Sequence, residues 1–149
     1  MLIAVEMASK VILVTGASRG IGHAVAKHLL DRSHKVVLVS RSRAELEALK
    51  SQYPSQVEYL AEDLTDFAAC IHLVVGRLCS ESRQVAPEAT ELAVKAFGRL
   101  DGIVINHGVL SPITKIADSN ADDWRRLYDA NVFSALALVR PALRPAHTT

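Results

Sequence analysis

Three glycines carry the first chemical signal in this chain. In VILVTGASRGIG, residues 11–22, an apolar run stops at Gly16, Gly20 and Gly22, with small and basic residues between them. A strand that enters such a turn and leaves it as a helix forms a cradle for phosphate. Lacking a Cβ, Gly16 permits a tight turn and close backbone approach, Gly20 leaves space for a pyrophosphate, and Gly22 lets the helix pack closely on the strand. The N–H groups at the helix start then face the phosphates, aided by the helix dipole. A glycine-rich turn with no ligand is the alternative; the strand before and the helix after favour a dinucleotide.

The next residues that matter lie at the end of the second strand. In a dinucleotide unit that prefers NAD, an acidic residue there bonds the ribose 2′-OH. Eighteen residues beyond Gly22 stands Ser40, followed by Arg41. A carboxylate would repel a 2′-phosphate, whereas a hydroxyl and a guanidinium bind one. Arg19, inside the glycine loop, is placed to clamp the same phosphate from the other side. The expected cofactor is therefore NADP, with NAD less favoured. Solvated surface charge is the competing reading for Arg19 and Arg41, and the preferred one for Arg43. Of the six histidines, His23 and His28 are spaced by five on no established metal pattern, so no metal is expected. The GK[ST] phosphate loop of nucleotide triphosphatases is missing.

These residues need a scaffold. The chain of 149 residues is long enough for one domain with a core. Half of it is apolar and the mean hydropathy is +0.19, which suits a globular chain. Seventeen basic against sixteen acidic residues give no reason to expect nucleic acid or an anionic membrane as partner. No apolar run approaches the roughly 20 residues that span a bilayer. MLIAVEMASK lacks the basic start of a signal peptide, so a cytoplasmic location and reduced Cys70 and Cys79 are expected. Residues 11–15, 36–40, 57–61 and 103–106 are Val- and Ile-rich runs without strict alternation, as strands covered on both faces should be. Between the first two, Ile21, Ala24, Val25 and Leu29 fall on one helical face. Further helices are expected over 43–51, 89–97 and 121–139. The last carries Trp124, Leu127, Asn131, Ala135 and Leu138 near one stripe, with Ser119 and Asp122 as cap and dipole partner. The βαβαβαβα order implies an α/β, doubly wound parallel sheet.

The spacing Gly-x-x-x-Gly-x-Gly after Thr15 resembles the TGxxxGxG pattern of the short-chain dehydrogenase/reductase family. Asp63-Leu64 follows the third strand, where that family sets an acidic residue against the adenine amino group. Asn106-His107-Gly108 resembles the family's NAG segment, with His in place of Ala. Asn131 occupies the place of its helical Asn. The ITKIADS and WRRLYDANVFSAL stretches resemble fungal carbonyl and diketone reductases. The resemblance runs from Val11 to about Arg140 and implies a Rossmann-type cofactor domain. It also implies cofactor contacts from Thr15, Gly16, Ser18, Arg19, Gly20, Ile21 and Gly22 in the turn and from Ser40 and Arg41. Asp63, Leu64, Asn106, His107 and Gly108 complete that set. His107 replaces a small residue near the expected nicotinamide, where it either touches substrate or cofactor or is ordinarily packed.

The same resemblance exposes a gap. The family's reaction uses a Tyr with a Lys four residues on, and a Ser that polarises the carbonyl. Tyr53, Tyr59 and Tyr128 are followed at that spacing by Val57, Asp63 and Val132. Asn131 is the one member of the catalytic group retained, and a helix Asn bonded to nearby backbone is an equal reading of it. The expectation is a sheet cut after about four strands, with Pro141 and Pro145 stopping the last helix and 141–149 an irregular tail. Residues 1–6 precede a more natural start at Met7. Asp63 and Asn106 are 43 positions apart, roughly sixteen more than the family needs. The excess falls near 70–85, as a translated intron or a surface insertion. Three readings stand: the cofactor part of an NADP-dependent carbonyl reductase, a non-enzymatic NADP-binding or regulatory module, and an inactive truncated product. Small-molecule carbonyls are the expected substrates of complete relatives, and self-association or a homo-oligomer is expected of this chain.

Overall fold

The computed structural model describes residues 8–64 and 85–143. The chain alternates β1 (Val11–Thr15), α1 (Gly20–Leu30), β2 (Lys35–Val39), α2 (Arg43–Gln52), β3 (Val57–Leu60), α3 (Val85–Phe97) and β4 (Gly102–Val104). A 3₁₀ turn (Ile116–Asp118), α4 (Ala121–Tyr128), a π turn (Asp129–Phe133) and α5 (Ser134–Ala142) follow. The strands form one parallel sheet in the order β3-β2-β1-β4. β1 pairs with β2 from Val11↔Lys35 to Thr15↔Val39, and with β4 from Ile12↔Gly102 to Val14↔Val104.

Both faces of this sheet are covered, which explains the unbroken apolar runs. Val11, Leu13, Val37 and Val39 turn towards α3 and α5, packing with Ala86, Ala89, Ala93 and Leu138. Val14, Val36, Leu38 and Val57 turn the other way, towards Ala26 and Leu30 of α1 and Leu46 and Leu49 of α2. The chain moves outward from β1 to β3, then returns past β1 to β4. That reversal opens a crevice beyond the carboxyl ends of β1 and β4, where ligands bind in doubly wound sheets.

Several expectations need correction. α1 buries Gly22, Ala26 and Leu30, not a face led by Ile21 and Ala24; Ile21 is 75% exposed at the helix start. Gly22 sets the approach of the helix, so the face that touches the sheet is rotated towards it. The expected helix over 121–139 is interrupted by the π turn. The extra residue rotates the following face, so Leu138 is buried while Trp124 and Asn131 are exposed. The cap is Asn120, whose Oδ1 accepts from the Asp123 N–H at 2.9 Å. Ser119 instead accepts from Trp124 Nε1 and donates to the Ile116 carbonyl. Pro141 does not stop α5. It stands in the last turn, its fixed φ suits a helix, and Leu143 N–H still bonds the Val139 carbonyl. Residues 141 and 142 are therefore helical. Val85, placed at the edge of the expected excess, opens α3 and is buried. Residues 1–7, 65–84 and 144–149 lie outside the described residues, including both cysteines and Met7.

Candidate functional site

The glycine turn leaves β1 through two left-handed residues, Gly16 at φ +63° and Gly20 at φ +59°. A Cβ on Gly22 would stand 2.3 Å from the Gly16 carbonyl oxygen and 2.5 Å from Asn106 Nδ2, so no other residue fits there. A Cβ on Gly16 would meet His107 N and Asn106 Nδ2 at 3.1 Å, whereas Gly20 faces open space. α1 starts after Arg19, which makes no side-chain capping bond, and its first turn holds no acidic residue. Its leading N–H groups thus keep their capacity to meet an anion.

Thr15 ties this turn to the loop after β4. Its buried hydroxyl oxygen accepts from Asn106 N at 3.0 Å and from His107 N at 3.3 Å. His107 Nδ1 lies 2.7 Å from the same oxygen, and its Nε2 lies 2.6 Å from Ser134 Oγ at the start of α5. Burial pushes the His107 pKa below the ordinary histidine value, against an opposing pull from the Asp63 carboxylate. Asn106 Nδ2 donates to the Gly16 carbonyl at 3.4 Å. Asn131 holds the next residues: its Oδ1 accepts from Val109 N and its Nδ2 donates to Val109 O, both at 2.8 Å. Gly108 is wedged beside it, since a Cβ there would lie 3.0 Å from Asn131 Oδ1.

A cleft of about 580 Å³ opens between these elements, a size that accommodates a small organic ligand. Gly16, Ser18 and Arg19 line it from the glycine turn, and Ser40 and Arg41 from beyond β2. Leu64 lines it beyond β3, and Asn106, His107 and Gly108 beyond β4. Thr15, Gly20, Ile21, Gly22, Asp63 and Asn131 do not line it. Thr15 and Gly22 support the wall from behind, and Asn131 braces it through Val109. Asp63 reaches the wall through Arg41, with 3.6 Å between the guanidinium and the carboxylate. Val39, Ser42, Glu62, Val109 and Ala130 also line the cleft. Sequence reasoning missed them, although each of the five adjoins a residue it named.

The three tyrosines lie elsewhere. Tyr53 donates to Asp31 at 2.7 Å and Tyr59 to Glu47 at 2.9 Å. Each carboxylate bond raises the phenol above its usual 10.0, the opposite of the shift a proton-transferring tyrosine needs. Tyr128 is half exposed on α4, tilted against Phe133. Arg43 pairs with Glu47 on the surface of α2. Among the described residues, no group of three or more His, Cys, Asp or Glu is placed to hold a metal ion. No described helix is long and apolar enough to cross a membrane.

Known proteins share this arrangement. An uncharacterized oxidoreductase of Schizosaccharomyces pombe (strain 972 / ATCC 24843) is 40% identical over 139 residues, 93% of this chain and 49% of the relative. A benzil reductase ((S)-benzoin forming) of Saccharomyces cerevisiae (strain ATCC 204508 / S288c) is 36% identical over 137 residues, 87% of this chain and 46% of that protein. The crystal structure of a short chain dehydrogenase/reductase from Saccharomyces cerevisiae superposes with a TM-score of 0.75 at 36% identity. That superposition covers 91% of this chain and 48% of the other. The chain spans about half the length of the curated relatives it matches. Residues 10–147 match the family described as short chain dehydrogenase. With a family match that runs through nearly all of its residues, the chain belongs to the short chain dehydrogenase family of oxidoreductases, on a Rossmann fold.

Proposed function

We infer that the cleft binds NADP(H) and that the chain contributes the cofactor part of a carbonyl reductase. The observation that carries this reading is the glycine cradle. The backbone at Gly22 has no room for a side chain, Gly16 is closely approached by the loop after β4, and Gly20 faces open space. An uncapped helix start adjoins it. A turn without side chains that leads into an uncapped helix start suits a pyrophosphate. Ser18, Arg19 and Gly20 would hold the pyrophosphate, with Ile21 at the helix start beside it. Ser40, Arg41 and Arg19 would hold the 2′-phosphate. Asp63 and Leu64 would meet the adenine, and Asn106, His107 and Gly108 the ribose side of the nicotinamide.

The Arg41–Asp63 pair does not stand in the way. Its side chains are 70% and 41% exposed, and an exposed pair contributes at most about 1 kcal/mol. A 2′-phosphate carries roughly −1.5 to −2 charges and takes bidentate bonds from a guanidinium. The phosphate therefore competes well for Arg41.

The cofactor, when bound, supplies the hydride that passes to a carbonyl carbon. These residues bind and orient it. The 149 residues hold no tyrosine with a lysine four residues on, and Tyr53 and Tyr59 are committed to carboxylates. By themselves they are expected to bind cofactor without reducing a carbonyl. Diketones are the first substrate class to try with any longer form, since one relative is named a benzil reductase.

Calorimetric titration with NADP and NAD tests the reading. Wild type should bind NADP more tightly, and Arg41→Asp should reverse the preference by replacing attraction with repulsion. Equal affinities, or tighter NAD, would remove the 2′-phosphate site. Turnover of diketones that follows the purified protein would overturn the inactivity.

A further inference from the structure

We propose that His107 is a positioning residue of the cofactor cleft, tying the Thr15 hydroxyl to the Ser134 hydroxyl in its neutral form and so holding the loop after β4 against the glycine turn. The proposal rests on the cofactor reading above. His107 bridges partners 92 and 27 positions away in sequence, and both are fully buried. Its ring thus joins the end of β1, the loop after β4 and the start of α5.

The hydrogens of this chain have one arrangement that satisfies every group. Ser134 Oγ donates to the Ala130 carbonyl at 2.7 Å. Its only hydrogen is spent there, so it accepts from His107 Nε2–H at 2.6 Å. Nδ1 then carries the lone pair and accepts the Thr15 hydroxyl hydrogen at 2.7 Å. The two lone pairs of Thr15 Oγ1 remain for the N–H groups of Asn106 and His107. The opposite tautomer would send the Thr15 hydrogen to the Val104 carbonyl, 3.4 Å away, and ask Thr15 to accept three bonds.

A second proton on the ring creates that same conflict. Nδ1–H would face an oxygen whose lone pairs are already taken by the loop amides. Relief requires the ring or the loop to move, and the loop amide of His107 lies against Gly16. The charged groups on the surrounding elements are Asp63 and Glu62 beyond β3, Arg41 beyond β2, Arg19 in the glycine turn and Asp129 in the π turn. Asp63 favours the proton, but burial of the ring outweighs it.

The test compares NADP affinity of wild type and His107→Ala from about pH 8 to about pH 5.5, the range in which histidine titrates. The 2′-phosphate titrates near 6 in both proteins and cancels in the comparison. Wild type should lose more affinity than the variant as pH falls, with the difference growing towards about tenfold, the loss of roughly one buried hydrogen bond, as the ring passes through its depressed pKa. Ring ¹⁵N spectra of wild type should place the neutral proton on Nε2. Parallel pH profiles, or a ring proton on Nδ1, would overturn the positioning role alone. Failure of wild type to bind NADP at about pH 8 would overturn the cofactor reading, and the role with it.

Discussion

Gly22→Ala replaces a hydrogen by a methyl group at the most tightly enclosed of the described glycines. The new Cβ would stand 2.3 Å from the Gly16 carbonyl oxygen and 2.5 Å from Asn106 Nδ2. Asn106 can swing away at the loss of one long bond, 3.4 Å to the Gly16 carbonyl. The Gly16 carbonyl cannot, because Gly16 N–H is bonded to the Val39 carbonyl at 2.9 Å. Either α1 lifts from the turn or the turn itself deforms. Overpacking of a rigid site costs about 1–3 kcal/mol, and a contact this short with backbone belongs at the upper end. Alanine in place of glycine within a helix returns at most about 1 kcal/mol. The expected net loss is about 2 kcal/mol, or roughly 4–8 °C in melting temperature for a domain of this size. Thermal unfolding followed by circular dichroism measures it. Gly20→Ala is the control. It has φ +59° but no neighbour within 4 Å, so it should lose only about 1–2 kcal/mol, for the left-handed backbone. A Gly22→Ala protein as stable as wild type would refute the close packing of α1 on the turn.

Two further outcomes are expected. Asp101 accepts the Val11 N–H at 2.8 Å and pairs with Arg99, bonds that hold its carboxyl below the ordinary 3.8. The unfolded chain therefore binds the proton first as pH falls, so the stabilisation is complete above 3.8 and disappears as pH drops through the depressed value. Melting temperatures below pH 3.8 should fall less steeply in Asp101→Asn than in wild type, and identical slopes would count against the anchor. β4 pairs only with β1 among the described residues. Leu110, Ile113 and Ile116 beyond it are 77%, 82% and 84% exposed. An open strand edge beside an apolar surface favours association, so the 149-residue chain should self-associate in light scattering, and Ile113→Ser with Ile116→Ser should reduce it. A wild-type monomer with a sharp, cooperative melt would refute this.

Local signals carried the framework. The five residues of β1 were readable with their boundaries because a largely β-branched run ends at a glycine, and α2 because its apolar period and polar flanks are complete within ten residues. The parallel sheet followed from the alternation of these units. The demand for glycine at 16 and 22 could also be anticipated, since a turn between a strand and a helix admits few backbone paths. Which face of α1 is buried was not readable: Gly22 has no side chain to mark it, and Ile21 looks like core until the crevice beside it is seen. Asn131 could be singled out in its helix, but its two bonds to Val109 join it to a loop 22 positions away. The same is true of the pairing of Arg41 with Asp63, two charges that each had a separate role in the sequence. His107 shows the limit most clearly. Its type and place left a contact with substrate or cofactor and ordinary packing both open, and no local signal pairs its two ring nitrogens with Thr15 and Ser134. Backbone preferences act over a few residues, so sequence determines them; a hydrogen bond between residues 92 positions apart exists only once packing of the sheet and α5 has brought its partners together.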